Sequence, residues 1–207
     1  MATVAANIIA RNEADRLKVL LPLIRPIFDE IVIVDQESTD DTVKVAKEYA
    51  DTVINDIASG HCQTSRPLAA ENTKSDWILV LDADEFINKK LSNDLRRLIS
   101  NPIVDGYLLG RASIITDEYK LDDILDFTNH QHEYVHTSEP YVYRLFRKGR
   151  VEYPNWIHQI LQPPHESILG RLYYNAIIDV KSHHERMANI SRYEALKNGV
   201  YDKEKYP

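Results

Sequence analysis

Apolar and polar positions follow a repeating order along the first half of the chain. Residues 4–9 form a short continuous apolar run, the pattern of a strand buried on both faces. Asn12 is placed to cap the helix that follows, in which Leu17, Leu20, Leu21 and Ile24 recur at helical spacing. Residues 31–34 give a second buried strand that ends at Asp35. Ser38, Thr39 and Asp40 offer an N-cap, and Val43, Ala46 and Tyr49 then recur at helical spacing. A third strand is expected over 52–54, a helix over 65–73, and a fourth strand over 77–81 that runs straight into Asp82. Leu91, Leu95, Leu98 and Ile99 mark another helix, and 107–109 another strand. This order predicts an α/β domain with a mostly parallel central sheet flanked by helices. Such sheets bind ligands beyond the carboxyl ends of their strands, where Arg11, Glu13, Asp35, Asp82 and Asp84 gather here.

The second half changes character. Residues 116–140 are rich in His, Asp, Glu and Tyr with weak periodicity, and read as a helix or long loop over the site. Short strands are expected over 141–146, 151–153 and 157–161, with turns at Lys148–Gly149 and Pro154–Asn155, giving a small mixed β region. A further strand over 173–180 and a closing helix over 188–200 complete the reading. No internal repeat or low-complexity segment interrupts it.

Composition narrows the function. At 207 residues the chain is one sizeable domain, read as residues 1–207 with halves 1–115 and 116–207. The last residues carry no stop signal, so the chain is open to being one module of a longer protein. A net charge of −7 with no run of Lys and Arg argues against a nucleic-acid partner. The single cysteine, Cys62, allows no internal disulfide and suits a reducing compartment. The apolar start is too short for a membrane span and lacks the basic start of a signal peptide. The expectation is a cytoplasmic protein without a transmembrane segment, or one working at the cytoplasmic face of a membrane.

The strongest chemical signal is Leu79-Val80-Leu81-Asp82-Ala83-Asp84-Glu85. Two carboxylates one residue apart, just past a buried strand, can be presented together to a hard divalent cation such as Mg²⁺ or Mn²⁺. A solvated acidic loop near a helix start would carry the same letters. The second signal is Asp35 at a strand end, followed by Gln36-Glu37-Ser38-Thr39-Asp40-Asp41-Thr42. Its acid can accept hydrogen bonds from a nucleobase imide or a ribose hydroxyl, and the same segment can serve as a helix cap.

Together these segments resemble the family 2 glycosyltransferases with the GT-A fold. Ala6-Asn7-Ile8-Ile9-Ala10-Arg11-Asn12-Glu13 looks like that family's first strand and Asn-Glu turn, and 35–42 is similar to its Asp-x-x-Ser-Thr-Asp-x-Thr segment. Arg66, ahead of Leu68-Ala69-Ala70, sits where the family has an arginine, and 75–85 resembles its metal strand. Less closely, Tyr143-Arg144-Leu145-Phe146-Arg147-Lys148-Gly149 resembles the branch that adds sugars to lipopolysaccharide cores and related glycans.

The resemblance implies an inverting hexosyltransferase that uses Mn²⁺ or Mg²⁺. It would take a UDP-sugar donor (a hexose or deoxyhexose) and a glycan or lipid-linked glycan acceptor. Ala6, Ile9, Arg11, Glu13, Asp35, Arg66, Asp82 and Ala83 would bind the nucleotide sugar. Asp82, Asp84, His183 and His184 would serve the metal, although the two histidines also read as a surface pair near a helix start. Where the branch usually carries His-Glu, this chain reads Ile157-His158-Gln159, and an amide cannot take a proton. His158 is the expected base, with Asp126, Glu133 and Glu166 as alternatives. Trp156 and the tyrosines at 134, 141 and 143 are candidates for a sugar platform, Trp156 equally for the core. His130, His132 and His136 suggest a zinc site only by count, since no cysteine accompanies them.

Competing readings meet particular residues. A sugar-nucleotide pyrophosphorylase would need a Gly-rich loop after the first strand, and 10–25 contain no glycine. An Asp-x-Asp phosphatase would follow its acids with Thr or Val, and here Glu85 and Phe86 follow. A binding module that keeps the donor site but has lost transfer is the serious alternative, supported by Gln159.

Overall fold

The computed structural model describes residues 1–115, 134, 135, 141–153 and 161–181. In chain order these form β1 (Val4–Ala10), α1 (Ala14–Ile24), β2 (Glu30–Gln36), α2 (Thr42–Tyr49), β3 (Thr52–Asp56), α3 (Arg66–Glu71) and β4 (Trp77–Asp82). There follow β5 (Glu85–Ile87), α4 (Lys89–Ile99), β6 (Gly106–Ile115), β7 (Tyr134–Val135), β8 (Tyr141–Arg147) and β9 (Leu169–Lys181). The strands make one sheet in the order β3-β2-β1-β4-β8-β6-β9-β5, with β7 paired to β6. β3, β2, β1 and β4 run parallel, as the alternating strand and helix pattern predicts. β8 joins β4 and β6 antiparallel, and β9 returns parallel to β6 and antiparallel to β5. The fold is thus the expected α/β class with a parallel central sheet and added antiparallel strands.

Period-two alternation decides which helix each strand residue meets. Val4, Ala6, Ile8 and Ala10 of β1 share a core with Ile31 and Ile33 of β2, Trp77, Leu79 and Leu81 of β4, and the apolar stripes of α1, α2 and α4. On the opposite face Ile9 meets Val32, Val34 and Ala69 of α3. Further along that face, Ile78 and Val80 pack with Tyr143, Phe146 and Leu161. Both faces are therefore covered, which is why the strands read as continuous apolar runs rather than alternating ones.

Several local expectations need correction. Asn12 does not cap α1: it adopts a left-handed backbone (φ 53°), and its Oδ1 accepts from the Thr39 amide at 2.8 Å. The first α1 turn is capped across space instead. Ser38 Oγ, Thr42 Oγ1 and Asp40 Oδ2 accept from the amides of Asn12, Glu13 and Ala14 at 2.9, 2.8 and 3.2 Å. The β2–α2 loop thereby locks the end of β1 beside the end of β2. Residues 151–153 form no strand, only an isolated bridge between Glu152 and Gln162. β5 was not expected, and β6 and β9 are longer than the apolar runs that announced them. The turn at Lys148–Gly149 is present, with Gly149 at φ 82°, a conformation that favours glycine. The expected turn at 154–155, the strand over 157–161 apart from its last residue Leu161, and the helix over 188–200 lie outside the described residues, as does 116–140 apart from β7.

Candidate functional site

The three central parallel strands end level with one another. In register, Ala10 of β1 faces Asp35 of β2, and Ile9 faces Asp82 of β4, so the two acids flank the end of β1. Beyond β4 the chain turns at Ala83 and Asp84 and enters β5 at once. Glu85 closes that turn by accepting the Asp82 amide on Oε2 at 2.9 Å.

Asp82 sits in a guanidinium pincer. Arg66 Nη2 donates to Oδ1 at 2.8 Å, and Arg144 Nη2 to Oδ2 at 3.2 Å. Arg144 also reaches Glu85 Oε1 at 3.3 Å, and Arg111 lies 3.7 Å from the same oxygen. Partial burial opposes ionisation of Asp82, but the two guanidiniums outweigh it and hold the carboxyl far below the usual carboxylate range. Glu85 goes the other way. Burial, aided by the charges of Asp82 and Asp84, pushes it up to about 7 against the pull of Arg144 and Arg111. Arg66 additionally donates to Cys62 Sγ at 3.1 Å. Burial pushes that thiol up to about 11, so it stays neutral and serves as an acceptor rather than a nucleophile.

Asp84 is held separately. Lys181, the last residue of β9, lies 2.9 Å from Asp84 Oδ2 and 2.6 Å from Asp179 Oδ1. Ser113 Oγ donates to the other oxygen of Asp179 at 3.0 Å, and the Val180 amide donates to the Asp84 carbonyl at 3.1 Å. Burial works against the Lys181 charge, but the two carboxylates outweigh it and raise its affinity for the proton. Burial and the neighbouring Asp84 raise Asp179 above the usual carboxylate range.

Asp35 is 3% exposed, and its Oδ2 accepts from the Ser38 amide at 3.0 Å. Its Oδ1 is buried and has no hydrogen-bond partner among the described residues. A buried acceptor left so costs about 1–3 kcal/mol, which a ligand donor would recover. Glu13 accepts from Arg16 Nη1 at 2.9 Å, and Arg11 is half-buried just past β1.

The structure thus brings Ile9, Arg11, Glu13, Asp35, Arg66, Asp82, Ala83 and Asp84 to one edge of the sheet. Ala6 does not belong with them: it is fully buried mid-strand, paired on one side with Ile31 and on the other with Leu79. Tyr143 is no sugar platform. It is 1% exposed, stacked on Phe146 at 5.3 Å, and donates through its hydroxyl to the Arg150 carbonyl. Tyr141 lies under the Arg171 guanidinium at 4.9 Å. Glu166 is an exposed turn residue. His158, Gln159, His183, His184, Trp156, Asp126, Glu133, His130, His132 and His136 fall outside the described residues, and for Tyr134 only the backbone of β7 is described. Among the described residues no group of three or more His, Cys, Asp or Glu could hold a metal by itself.

Sequence reasoning gave no role to Glu85, Arg111, Arg144, Asp179 or Lys181. A signal was nevertheless present. Arg144 and Asp179 each interrupt an apolar strand (Tyr143-Arg144-Leu145 and Ile178-Asp179-Val180), and a charge buried there demands a partner.

Comparison with known proteins agrees with this architecture. Residues 7–163 match the glycosyl transferase family 2 profile. An uncharacterized glycosyltransferase of Rickettsia felis is 33% identical over 115 residues, 56% of this chain and 40% of that protein. The SPbeta prophage-derived glycosyltransferase SunS of Bacillus subtilis is 24% identical over 184 residues, 88% of this chain and 39% of its own length. The chain therefore spans about two fifths of the length of these curated relatives. Among solved structures, residues 1–349 of S. aureus TarS in complex with UDP superpose with a TM-score of 0.60. The sequences are 17% identical, and the match covers 91% of this chain and 64% of that one. With three quarters of its length inside the matched region and the fold to accompany it, this chain belongs to glycosyl transferase family 2.

Proposed function

We propose that the chain is the donor-binding and transfer unit of an enzyme that moves a hexose or deoxyhexose from a UDP-sugar to a hydroxyl of a glycan or lipid-linked glycan, with inversion. The observation that carries this reading is the convergence of Asp35, Asp82 and Asp84 at one sheet edge, with a buried Asp35 oxygen awaiting a donor. The TarS structure of like fold was determined with UDP, which makes uridine the nucleotide to try first.

Asp35, Arg11, Glu13, Arg66 and the backbone at Ile9 and Ala83 would hold the base and ribose. Asp82, fixed by its two guanidiniums, would accept from a ribose hydroxyl and keep that oxygen in place as the sugar leaves. The chemistry of Asp84 fits a hard divalent ion: it is an oxygen donor, partly exposed, and Mg²⁺ or Mn²⁺ needs few protein carboxylates when substrate phosphates complete its shell. His183 and His184 are proposed to join it. When bound, the ion supplies charge stabilisation to the leaving diphosphate.

His158 is proposed to take the proton of the attacking hydroxyl, a role contributing roughly 10²–10⁴-fold to the rate. Residues 1–115 would serve the donor and 116–207 the acceptor, within a single domain. The lipopolysaccharide-core branch is the proposed affiliation. The single Cys62 suits a cytosolic setting, and no helix among the described residues is long and apolar enough to cross a membrane. A second reading, a donor-binding module without transfer, is favoured by Gln159 alone. Turnover of the donor in the presence of an acceptor would reject it.

Calorimetric titration with UDP and a panel of UDP-sugars, with and without Mn²⁺, tests the proposal on wild type and Asp84→Ala. The expected result is metal-dependent binding of one UDP-sugar, weakened at least about tenfold in Asp84→Ala. Absence of binding by every nucleotide would overturn the donor site.

A further inference from the structure

The acids of the site are already paired with cations before any ligand arrives. Asp82, Asp84, Glu85 and Asp179 face four cations: Arg66, Arg111, Arg144 and Lys181. These cations are not alike. Arg66 and Arg144 are each 5% exposed, and both reach Asp82 through planar groups fixed among several partners. Lys181 is 26% exposed and touches Asp84 through a compact ammonium on a flexible stem. Its strand is anchored independently of that contact. Val180 bonds the Asp84 carbonyl, and Asp179 pairs with Glu85 on β5 and Ser113 on β6. The ammonium can therefore move while the backbone beneath it stays.

We propose that Lys181 is a tethered counter-cation for Asp84, which a divalent ion must displace, so that ion and nucleotide diphosphate bind together rather than the ion alone. The proposal rests on Asp84 being the ion's ligand. Lys181 Nζ sits on Asp84 Oδ2, where it competes with any ion for that carboxylate, and the Asp179 carboxylate can hold it close by after displacement. An ion arriving alone meets an acid whose charge is already neutralised, with a positive charge a few ångströms away. An ion arriving with a diphosphate brings negative charge that accommodates both itself and the displaced ammonium. The two ligands are thereby coupled, and by linkage each strengthens the other's binding by the same factor. Lys181 is thus a positioning residue that sets metal affinity and its coupling to the diphosphate.

The test is Mn²⁺ binding, read from the paramagnetic resonance signal of free Mn²⁺, on wild type, Lys181→Met, Lys181→Arg and Asp84→Ala, each with and without UDP. Lys181→Met is expected to bind Mn²⁺ about tenfold tighter than wild type without UDP, the factor by which UDP enhances Mn²⁺ affinity falling by a similar amount. Lys181→Arg keeps the charge and is expected to stay at or below wild-type affinity. Lys181→Met with unchanged circular dichroism and no tighter Mn²⁺ binding would overturn the inference. So would a Lys181→Arg variant as tight as Lys181→Met, or a wild-type Mn²⁺ affinity indifferent to UDP. Asp84→Ala separates this from the donor-site reading. If Asp84→Ala binds Mn²⁺ as wild type does, the ion is elsewhere and both fail; if it loses Mn²⁺ while Lys181→Met matches wild type, only the role of Lys181 fails.

Discussion

Replacing Arg144 by methionine removes the cation shared by Asp82 and Glu85 while keeping a long apolar stem in the middle of β8. Asp82 would retain Arg66 at 2.8 Å, and Glu85 would retain the Asp82 amide and Arg111 at 3.7 Å. Removing one member of a buried ion pair costs about 3–5 kcal/mol, and the partners that remain place this case near 3 kcal/mol at alkaline pH. The cost depends on pH in a definite direction. Glu85 already stands at about 7, far above its unfolded value, and Arg144 is the foremost influence holding it down. A group with a raised folded value carries an extra proton in the native state, so stability falls as pH rises until the folded value is passed. Loss of Arg144 moves that limit upward. Near pH 6 the wild type and variant both protonate Glu85, and the deficit should shrink to about 1 kcal/mol. Between pH 7 and 8.5 it should grow at about 1.4 kcal/mol per unit. Urea unfolding of both proteins at pH 6 and pH 8.5 measures the difference. Equal deficits at the two pH values, or none at pH 8.5, would refute the claim that Arg144 governs Glu85.

Two further substitutions probe the site edge and the sheet behind it. Asp35→Ala should weaken UDP binding at least about tenfold in calorimetry. It should cost about 1 kcal/mol in thermal unfolding, because the lost Ser38 amide contact is partly offset by removal of the unpartnered Oδ1; normal UDP affinity would remove Asp35 from the donor site. Gly106→Ala would set a methyl group inside the Tyr143 ring, which is stacked on Phe146 and tied to the Arg150 carbonyl. A loss of about 2 kcal/mol is expected from thermal unfolding, and an unchanged melting temperature would show that the ring yields freely.

The parallel half of the fold was legible because its strands are buried on both faces. The runs 4–9, 31–34 and 77–81 need no partner to be recognised, and the acids that end them mark the sheet edge. What escaped was set by distant pairing. Glu85, Phe86 and Ile87 are too few to announce a strand, and they become one only by pairing with residues 177–179, some ninety positions later. Asn12 has the local sequence position of a helix cap, whereas the loop of the next β-α unit supplies the capping groups. Arg144 lies 62 residues from Asp82, and Lys181 lies 97 residues from Asp84. Their strands showed as apolar runs, but nothing local specified which acid each would meet.

In the proposed site, nucleotide and ion meet where β1, β2 and β4 end. A crystal structure of the chain grown with UDP and Mn²⁺, with anomalous data collected at the manganese edge, tests it most directly. The manganese peak is expected at the Asp84 carboxylate, with Lys181 displaced from Oδ2 and uridine against Asp35 and Arg66. A UDP bound elsewhere, or a manganese peak away from Asp84 with the Lys181 contact intact, would contradict it.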